Sequence, residues 1–506
     1  MDTLIRNARI LTFDERRTAH TRADVLVRGT KIAAVGPDLP APTVEPTRII
    51  DGSGKLVMPG LINAHLHSPA NHLKGALEDA PLELFMLYEV PPIQEAPDGG
   101  RINYLRTMLG AMEMLKLGIT AVHDDAFFNP VPTWDAIDGI MTAYADSGMR
   151  ATVTIDQPNV PEYEKFPFLE ALLPEAIKQS MRDAPRMGDA ELLSLYGAFL
   201  RRWHGKAGGR LRCAASCSAP QRVTASYLEQ LTDFAAAHDL PFDIHILETR
   251  LQRVLGQEKH GKSLIRYVHD LGVLDERKFV IHAVWVDQSD IDLMAEAGCV
   301  VGHNPISNLK IGSGVMPFRQ LRDAGIPIAL GTDEAAVDDS ANLWGVVKMA
   351  GLIHKITDPE WTRWPKAPEI LDCLFQGGAR SMRLHESTGR IAPGYEADLI
   401  LVDLDSLAFT PLNDLERQLV FVENGSSVMM TMVAGEVVME NGRLLKVDEA
   451  AIKAEFREAA KEHASMFADI HANAEILAPH YAAMLRKAEQ MPVGMVRRLP
   501  LFGRTD

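Results

Sequence analysis

Histidines and one aspartate fall at the ends of apolar runs that have the pattern of β-strands. The residues at these ends are His65, His67, His245, His282, His303 and Asp333. Because alternate residues of a strand point to the same side, His65 and His67 can present two imidazoles to one ion. Imidazole and carboxylate ligands without thiolate favour Zn²⁺ or Fe²⁺ over Ca²⁺ or Mg²⁺. The spacing therefore predicts a metal centre.

The fourth of these apolar runs bears on the number of ions. Its end, CAASCSAPQR, contains no lysine that could bridge two ions as a carbamate, so one ion is predicted. Cys213 and Cys217 lie in this run without a second close pair, and core packing is their favoured interpretation. For any single histidine of the set, a hydrogen-bonded core position remains the alternative.

Eight strand-like runs position these residues, and helical segments separate them. The runs are LVMPGLINAHLH, GITAVHDDA, RATVTID, RLRCAASCSAP, FDIHILE, KFVIHAV, CVVGHNP and PIALGTD. This alternation is typical of an α/β fold with parallel strands. Eight repeats over roughly 330 residues fit a (β/α)8 TIM-like barrel, whose catalytic face lies at the carboxyl ends of its strands. The alternative, a doubly wound open sheet, would carry a glycine-rich phosphate turn after its first strand, and none is present there.

The two ends of the chain differ from its middle. Short alternating strands recur near both termini, which predicts a small β-sandwich formed from residues 1–57 and 388–445. The barrel is expected over residues 58–387. Residues 446–506 are rich in Ala, Glu and Lys with apolar positions at helical spacing, so a C-terminal helical extension is expected there. Packing against the barrel or a neighbouring subunit is favoured over a catalytic role.

Composition restricts the partners. The chain has 506 residues with 52 Lys plus Arg against 68 Asp plus Glu, a formal net charge of −16, which repels phosphate backbones and anionic lipid. Neither nucleic acid nor a membrane is an expected partner. Three features predict a soluble, cytoplasmic protein. The chain has only four cysteines, no basic leader followed by an apolar run, and no apolar window of about 20 residues.

Five segments, in this order, resemble the amidohydrolase superfamily and within it the cytosine deaminase-like and triazine hydrolase (chlorohydrolase) branch. They are MPGLINAHLH, HILE, VIHA, HNPISNLKIGSG and LGTDEAA. The resemblance runs from residue 2 to about residue 445, where ESTGRIAPGYEADLILVD is similar to the return strand of the sandwich. It implies a homo-oligomer in which His65, His67, His245 and Asp333 hold one divalent ion, Zn²⁺ first and Fe²⁺ as the alternative.

The resemblance also implies that Glu248 and His282 handle protons. A bound dication lowers the pKa of its water from about 15.7 to about 7, and Asp333 would take the released proton. His282 would stabilise the charge that develops on the attacked carbon. Glu248, if protonated in an enclosed pocket, would donate to a ring nitrogen. The predicted function is a metal-dependent aminohydrolase, a deaminase of a small nitrogen heterocycle.

Two other functions stay open. One keeps the site and removes chloride or an alkylamine from an s-triazine, or hydrolyses a urea-type amide. The other is a metal-free scaffold barrel, against which the intact ligand set argues.

Four residues are predicted to bind the substrate. His303 and Asn304 resemble positions that line it in relatives, and Trp285 directly follows the His282 strand. Gln221 stands where relatives that deaminate adenosine-type nucleosides have histidine, which argues against nucleosides. An insertion from Ser68 to about Gly100 is expected to cover the pocket; its FMLY stretch could contact a ring, although helix core is favoured for it.

Overall fold

The computed structural model describes residues 2–42, 47–77, 80–92, 99–462 and 464–498, with the side chains of 462–468 excepted. Parts of three predictions fall outside these ranges. They are residues 1 and 43–46 of the predicted sandwich, residues 78, 79 and 93–98 of the covering insertion, and residues 463 and 499–506 of the C-terminal extension.

Strands are concentrated at the two ends of the chain and recur singly through its middle. They are β1 (Asp2–Leu11), β2 (Ala19–Arg28), β3 (Lys31–Gly36), β4 (Thr47–Asp51), β5 (Lys55–Pro59), β6 (Leu61–Leu66), β7 (Ile119–Asp124), β8 (Arg150–Val153), β9 (Leu211–Cys213), β10 (Ala215–Ser216), β11 (Phe242–Ile246), β12 (Lys278–His282), β13 (Val300–His303), β14 (Ile328–Leu330), β15 (Leu399–Asp403), β16 (Val428–Val433), β17 (Glu436–Glu440) and β18 (Arg443–Leu444).

Helices lie between the central strands and follow the last strand. They are α1 (Leu82–Glu89), α2 (Gly100–Lys116), α3 (Trp134–Ser147), α4 (Leu169–Leu172), α5 (Glu175–Asp183), α6 (Asp189–Trp203), α7 (Ala225–Ala237), α8 (Arg250–His260), α9 (Leu264–Asp270), α10 (Gln288–Ala297), α11 (Pro305–Lys310), α12 (Phe318–Asp323), α13 (Leu343–Ile353), α14 (Ala367–Asp372), α15 (Gly378–Ser381), α16 (Leu415–Phe421), α17 (Glu449–Glu462) and α18 (Ala464–Glu489).

Strands from both chain ends share one nine-stranded sheet. Its order is β18-β17-β16-β15-β5-β1-β2-β3, with β4 beside β1. The ends join where β5 pairs antiparallel with β15, from Lys55 opposite Asp403 to Pro59 opposite Leu399. Alternating apolar residues of these strands, among them Ile5, Val25 and Leu399, form a core separate from that of the central strands.

The central strands are parallel and form two sheets, β6-β7-β8-β9 and β10-β11-β12-β13-β14. Only Ala214 separates β9 from β10, so each of the eight predicted runs contains a strand of this set. The α/β fold with parallel strands is therefore confirmed. The first run differs in detail, because LVMPG mostly belongs to β5 of the nine-stranded sheet and only Leu61–Leu66 forms the central strand β6.

The insertion after β6 and the C-terminal helices meet. Helix α1 packs against α18, and the hydroxyl of Tyr88 donates to Glu475 Oε1 at 2.9 Å. Helix α18 also contacts α4 and α8, while α17 packs on α2. Among the helices of the described ranges, none is long and apolar enough to cross a membrane.

Candidate active site

The HLH tripeptide lies at the carboxyl end of β6. His65 is fully buried and His67 is 8% exposed. The chain beyond them is fixed by Asp124 at the end of the neighbouring β7, whose Oδ1 accepts a hydrogen bond from the Ser68 N–H at 2.8 Å. Adjacent parallel strands end at the same edge, so β7 orients the residues that leave β6.

Asp333 directly follows β14 and lies close to the HLH tripeptide. Its N–H donates to the carbonyl of His65 at 2.9 Å, which joins the end of the last central strand to the first. Gly331 permits this approach, because a Cβ there would lie 2.7 Å from His65 Cβ and 2.6 Å from Asn304 Oδ1. The close approach thus brings a carboxylate to the HLH tripeptide.

Four side chains converge here. Asp333 Oδ1 lies 3.4 Å from His65 Nε2 and 3.6 Å from His67 Nε2. His245, at the end of β11, places its Nε2 3.3 Å from His65 Nε2. Ligand atoms about 2.1 Å from a tetrahedral zinc ion lie about 3.4 Å from one another, and the three distances agree with that value. The ligand atoms of His65, His67 and His245 all lie within 4.8 Å of one another, as one ion requires.

The hydrogen bonds of two rings leave the converging nitrogens free for a metal. His67 Nδ1 lies 2.6 Å from the carbonyl of Asp125, and His245 Nδ1 lies 2.8 Å from the carbonyl of Ser218. A carbonyl only accepts, so each Nδ1 carries a proton, and the Nε2 that faces the site is the nitrogen that can offer a lone pair to a metal. This is the tautomer that metal-bound histidine needs.

The charges around the converging side chains also favour a bound cation. Burial lowers the pKa of His67, but the carboxylates of Asp333 and Asp125 outweigh burial and raise that pKa to about 9. Burial raises the pKa of the Asp333 carboxyl group. The contacts with His65 and His282 outweigh burial and hold this pKa well below its usual value. Excess negative charge at the ring of His67 favours a positive ion there.

The strand ends around the site have unusual backbone conformations. Non-glycine residues with positive φ occur at Ser218, Leu247, His282, Ala283 and Asp333, with φ between 45° and 75°. Each costs about 1–2 kcal/mol for an L-residue. Two of the three strands that carry converging side chains, β11 and β14, are followed by such a residue, and β12, which carries His282, ends in one, which is consistent with strain stored where side chains must be aimed at a site.

His282 and Glu248 lie beside the converging group. His282 Nε2 is 3.7 Å from Glu248 Oε2 and 3.8 Å from Asp333 Oδ2, while its Nδ1 is 2.9 Å from Asn308 Oδ1. Burial lowers the pKa of His282 to about 4. The pKa of Glu248 is raised well above its usual value, mainly by burial and further by the negative charges of Asp333 and Glu83. The site therefore combines an imidazole whose pKa is lowered with a carboxyl group whose pKa is raised, so burial favours the neutral form of both.

A cavity opens at these residues. His67, His245, Glu248, His282 and Asp333 line one side of it. Apolar side chains make much of the remaining wall, namely Leu82, Met86, Phe127, Phe128, Ile311 and Val337. A small organic ring and a metal ion would thus meet in one cavity.

Comparisons with known proteins agree with this geometry. The model of the amidohydrolase family matches residues 56–438. A relative from Nitratidesulfovibrio vulgaris, 5-methylthioadenosine/S-adenosylhomocysteine deaminase, is 31% identical over 462 residues, covering 90% of this chain and 96% of the relative. The chain belongs to the amidohydrolase family.

Two solved structures are similar to this amidohydrolase over nearly its whole length. One is an adenosine deaminase from Xanthomonas campestris with bound zinc, with a TM-score of 0.80 and 26% identity, covering 92% of this chain and 99% of that one. The other is the atrazine chlorohydrolase from Arthrobacter aurescens complexed with zinc, with a TM-score of 0.80 and 25% identity, covering 90% and 99%. The predicted family, and with it a metal-dependent hydrolase of carbon–nitrogen bonds, is confirmed.

The four residues predicted to bind substrate are absent from the described lining of the amidohydrolase's cavity, which leaves their role a prediction. His303 Nε2 is 3.0 Å from His354 Nε2, and Trp285 Nε1 donates to the carbonyl of Ser313 at 2.8 Å. Asn304 Nδ2 lies 3.5 Å from His282 Nδ1, behind the imidazole. Gln221 lies in a short 3₁₀ turn, Pro220–Arg222.

Other residues line the cavity without having been singled out from the sequence. They are Glu89, Asp156, Glu162, Lys165, Ser218, Arg222, Ser307 and Glu334 among the polar ones. Glu334 directly follows Asp333 in LGTDE, so proximity to a predicted ligand could have drawn attention to it. In the FMLY stretch, only Met86 lines the cavity; Phe85 and Leu87 are buried in apolar clusters, as the helix-core interpretation expects.

Proposed function

We propose that this amidohydrolase removes an amino group from a nitrogen heterocycle by hydrolysis, with one Zn²⁺ held by His65, His67, His245 and Asp333. The observation that carries the proposal is the convergence of three Nε2 atoms and one carboxylate beside a buried Glu248, whose surroundings raise the pKa of its carboxyl group. Zinc is favoured over iron because both similar enzymes described above are zinc proteins.

When bound, the ion supplies a water whose pKa is lowered to about 7, which serves as the nucleophile. Asp333 Oδ2, which accepts a hydrogen bond from Ser307 at 2.7 Å, takes a proton at that atom. His282 donates Nδ1–H to Asn308, so its Nε2 can receive a proton and then, as a cation, face the developing negative charge. Glu248 gives its proton to a ring nitrogen, which makes the attacked carbon more electrophilic. The proton held at Asp333 then passes to the amino group, so that the C–N bond breaks and ammonia leaves.

Adenine-type nucleosides become the first substrates to test, because the curated relative is named for two of them. Gln221 is outside the described cavity lining, and a different residue of the same turn, Arg222, lines the cavity. The residue at position 221 therefore gives no reason to exclude nucleosides as substrates.

Loss of a substituent from an s-triazine is the second candidate. Its support is the similarity to the atrazine chlorohydrolase. This chain is 25% identical to that enzyme and 26% identical to the adenosine deaminase, so sequence identity does not separate the two candidates. The two reactions need the same nucleophile and differ in the leaving group.

The closure of the central strands into a barrel and the sandwich formed by the chain ends are part of the same proposal. We propose that the parallel strands close into a (β/α)8 barrel over residues 58–387, supported by the hydrogen bond from Asp333 N–H to the carbonyl of His65. The sheet shared by both ends would form the sandwich of residues 1–57 and 388–445, with residues 446–506 as an extension. A homo-oligomer in the cytoplasm remains a prediction.

The test is a substrate panel offered to the zinc-loaded protein. Adenosine, 5′-deoxyadenosine, 5-methylthioadenosine, aminopyrimidines, pterins and s-triazines would be assayed separately for release of ammonia, amine and chloride. Ammonia release from at least one aminoheterocycle is expected. Chloride release alone would replace deamination by the second candidate, and no release from any compound would overturn both.

A further inference from the structure

The C-terminal strap, residues 491–498, follows α18 and contacts segments that leave the central strands. Arg250 begins α8 two residues after Glu248, and its guanidinium group donates to the carbonyls of Ala488 in α18 and of Met491, where the strap begins. No strap residue belongs to the described lining of the cavity. An effect of the strap on the reaction must therefore pass through the segments that it holds.

Arg497 in the strap joins two loops. Its Nη2 donates to the carbonyl of Val286 at 2.6 Å, in the loop between β12 and α10. Its own carbonyl accepts a hydrogen bond from the N–H of Val315 at 2.8 Å, in the loop between α11 and α12. Gly314 permits this approach, because its φ is +126° and a Cβ there would lie 2.6 Å from the carbonyl oxygen of Arg497. One residue thus links both loops, by its side chain and by its main chain.

Both loops support His282. Val286 lies four residues after it on the same loop. On the other loop, the N–H groups of Ser313 and Gly314 donate to the carbonyl of Asn308 at 2.8 Å and 3.3 Å. Asn308 Oδ1 in turn lies 2.9 Å from His282 Nδ1. Arg497 therefore holds together the backbone that follows this imidazole and the loop that carries its hydrogen-bond partner.

Trp285 extends the link to Glu248. Its N–H donates to the carbonyl of Leu247, the residue before Glu248, at 2.7 Å. Its indole Nε1 donates to the carbonyl of Ser313 at 2.8 Å. Because Trp285 directly precedes Val286, a shift of Val286 would be passed to the segment that carries Glu248.

The backbone at the end of β12 needs such support. His282 and Ala283 have φ of 75° and 45°, in the left-handed region that costs free energy for L-residues. Conformations of this kind persist only where surrounding contacts fix them. The contacts of Trp285 and Val286 with neighbouring segments are among those that fix this turn.

We propose that Arg497 is a positioning residue, which holds His282 and, through Trp285, Glu248 in the orientation that the reaction needs. The proposal rests on the proposed function for the roles of His282 and Glu248, and it adds a residue that lies outside the described cavity lining. A misplacement of a reacting group by about 1 Å costs up to about a hundredfold in rate. Loss of the strap contacts should therefore lower kcat.

Arg497→Met in the full-length, zinc-loaded protein tests this role, because methionine keeps an unbranched side chain and lacks the N–H donors. On the best substrate of the panel, we expect kcat to fall about 10–100-fold and KM to stay within about threefold. Arg486→Met is the matched control, since Arg486 is exposed on α18. The control should keep kcat, and both variants should keep their zinc.

A second pair of variants reaches the same contact from the other loop. Gly314→Ala would place a Cβ against the carbonyl of Arg497, so kcat should fall as in Arg497→Met. Gly312→Ala is its control, because Gly312 also has a positive φ, of +66°, but a Cβ there would meet no atom within 4 Å. Thermal melting checks that each variant is folded at the assay temperature.

Hydrogen exchange gives a readout that does not depend on activity. Peptides that cover residues 280–287 and 308–316 would be followed by mass spectrometry. We expect faster exchange in both peptides of Arg497→Met, because the loops lose a contact that holds them closed, and unchanged exchange in Arg486→Met.

The outcomes separate a positioning role from a structural one and from the proposed function. Normal kcat in folded Arg497→Met would overturn the proposal, even at a lower melting temperature. A rise in KM at unchanged kcat, or unchanged exchange in both peptides, would overturn it as well. If the panel shows no hydrolysis, the proposed function fails, and exchange alone decides whether the strap holds the loops: faster exchange in both peptides supports this hold, and unchanged exchange refutes it.

Discussion

Two groups of buried histidines lie at or near the ends of the central strands, and they differ in what their ring nitrogens contact. In one, His65 and His245 turn their Nε2 atoms toward each other, and Nε2 of His65 also faces Asp333 beside the cavity. In the other, His303 at the end of β13 has its Nε2 only 3.0 Å from His354 Nε2, and neither lines the cavity among the described residues. His65 is 0% and His303 is 1% exposed, so burial does not separate the groups.

A third histidine extends the contrast. His123 on β7 is fully buried with its Nε2 3.1 Å from Asp243 Oδ1, and burial lowers its pKa to about 3. It resembles His65 in residue type, in strand position and in having a nearby carboxylate. What distinguishes His65 is that several lone pairs and a carboxylate converge beside an open cavity. Convergence, rather than burial or pairing, marks a metal site.

Removing one converging ligand should have the largest effect. His245→Ala is expected to lose the metal and to lower hydrolysis by about a thousandfold or more, because the nucleophile depends on the ion. Metal analysis of the purified variant and an ammonia assay measure both. His303→Ala is the matched control and should retain metal; if His245→Ala retained stoichiometric zinc, the contrast between the groups would fail.

Glu248→Gln tests the proton donor without touching the ligands. The amide keeps the shape but cannot give up a proton, so kcat should fall by about 10²–10⁴-fold. Zinc content should stay at that of the unaltered protein. Near-normal turnover at full zinc content would rule out the acid role of Glu248.

His303→Gln should act on stability rather than on chemistry. The variant loses the contact with His354 inside the protein, so we expect about 1–3 kcal/mol of destabilisation in a denaturant titration. Zinc content should be unchanged and kcat within severalfold. A fall in kcat of more than about a hundredfold at full zinc content would instead move His303 into the catalytic group.

The smallest effect is expected at Gln221. Because its side chain is outside the described cavity lining, Gln221→His should change kcat/KM for an adenine nucleoside by less than about threefold. Steady-state kinetics on the best substrate of the panel would measure this. A tenfold or larger rise for nucleosides alone would restore the sequence argument that ties this position to nucleoside specificity.

Much of the fold was predictable because it depends on local patterns. Apolar runs ending in polar residues marked the central strands, and parallel strands bring their carboxyl ends to one edge, so His65, His245 and Asp333 were expected to meet. The presence of Glu89 and Glu334 in the lining of one cavity was not predictable. Glu89 and Glu334 are 245 residues apart, and nothing in local periodicity relates the end of helix α1 to the loop after β14.

The same limit applies to the residues assigned to substrate. His303, Asn304 and Trp285 occupy strand ends like the converging residues, yet their side chains contact His354, His282 and Ser313. Strand position predicts the edge at which a residue lies, but rotamers and packing decide whether its side chain reaches the cavity.

The sequence by itself determined the alternation of strands and helices, the chemical types of the predicted metal ligands and the family, since all of these follow from residue type and spacing. Only the tertiary structure decided which buried histidines converge and which pair with one another. It also brought two distant acids together in the cavity wall. Such contacts depend on how separate elements pack, because hydrogen bonds and charges act over a few ångströms in space, irrespective of distance along the chain.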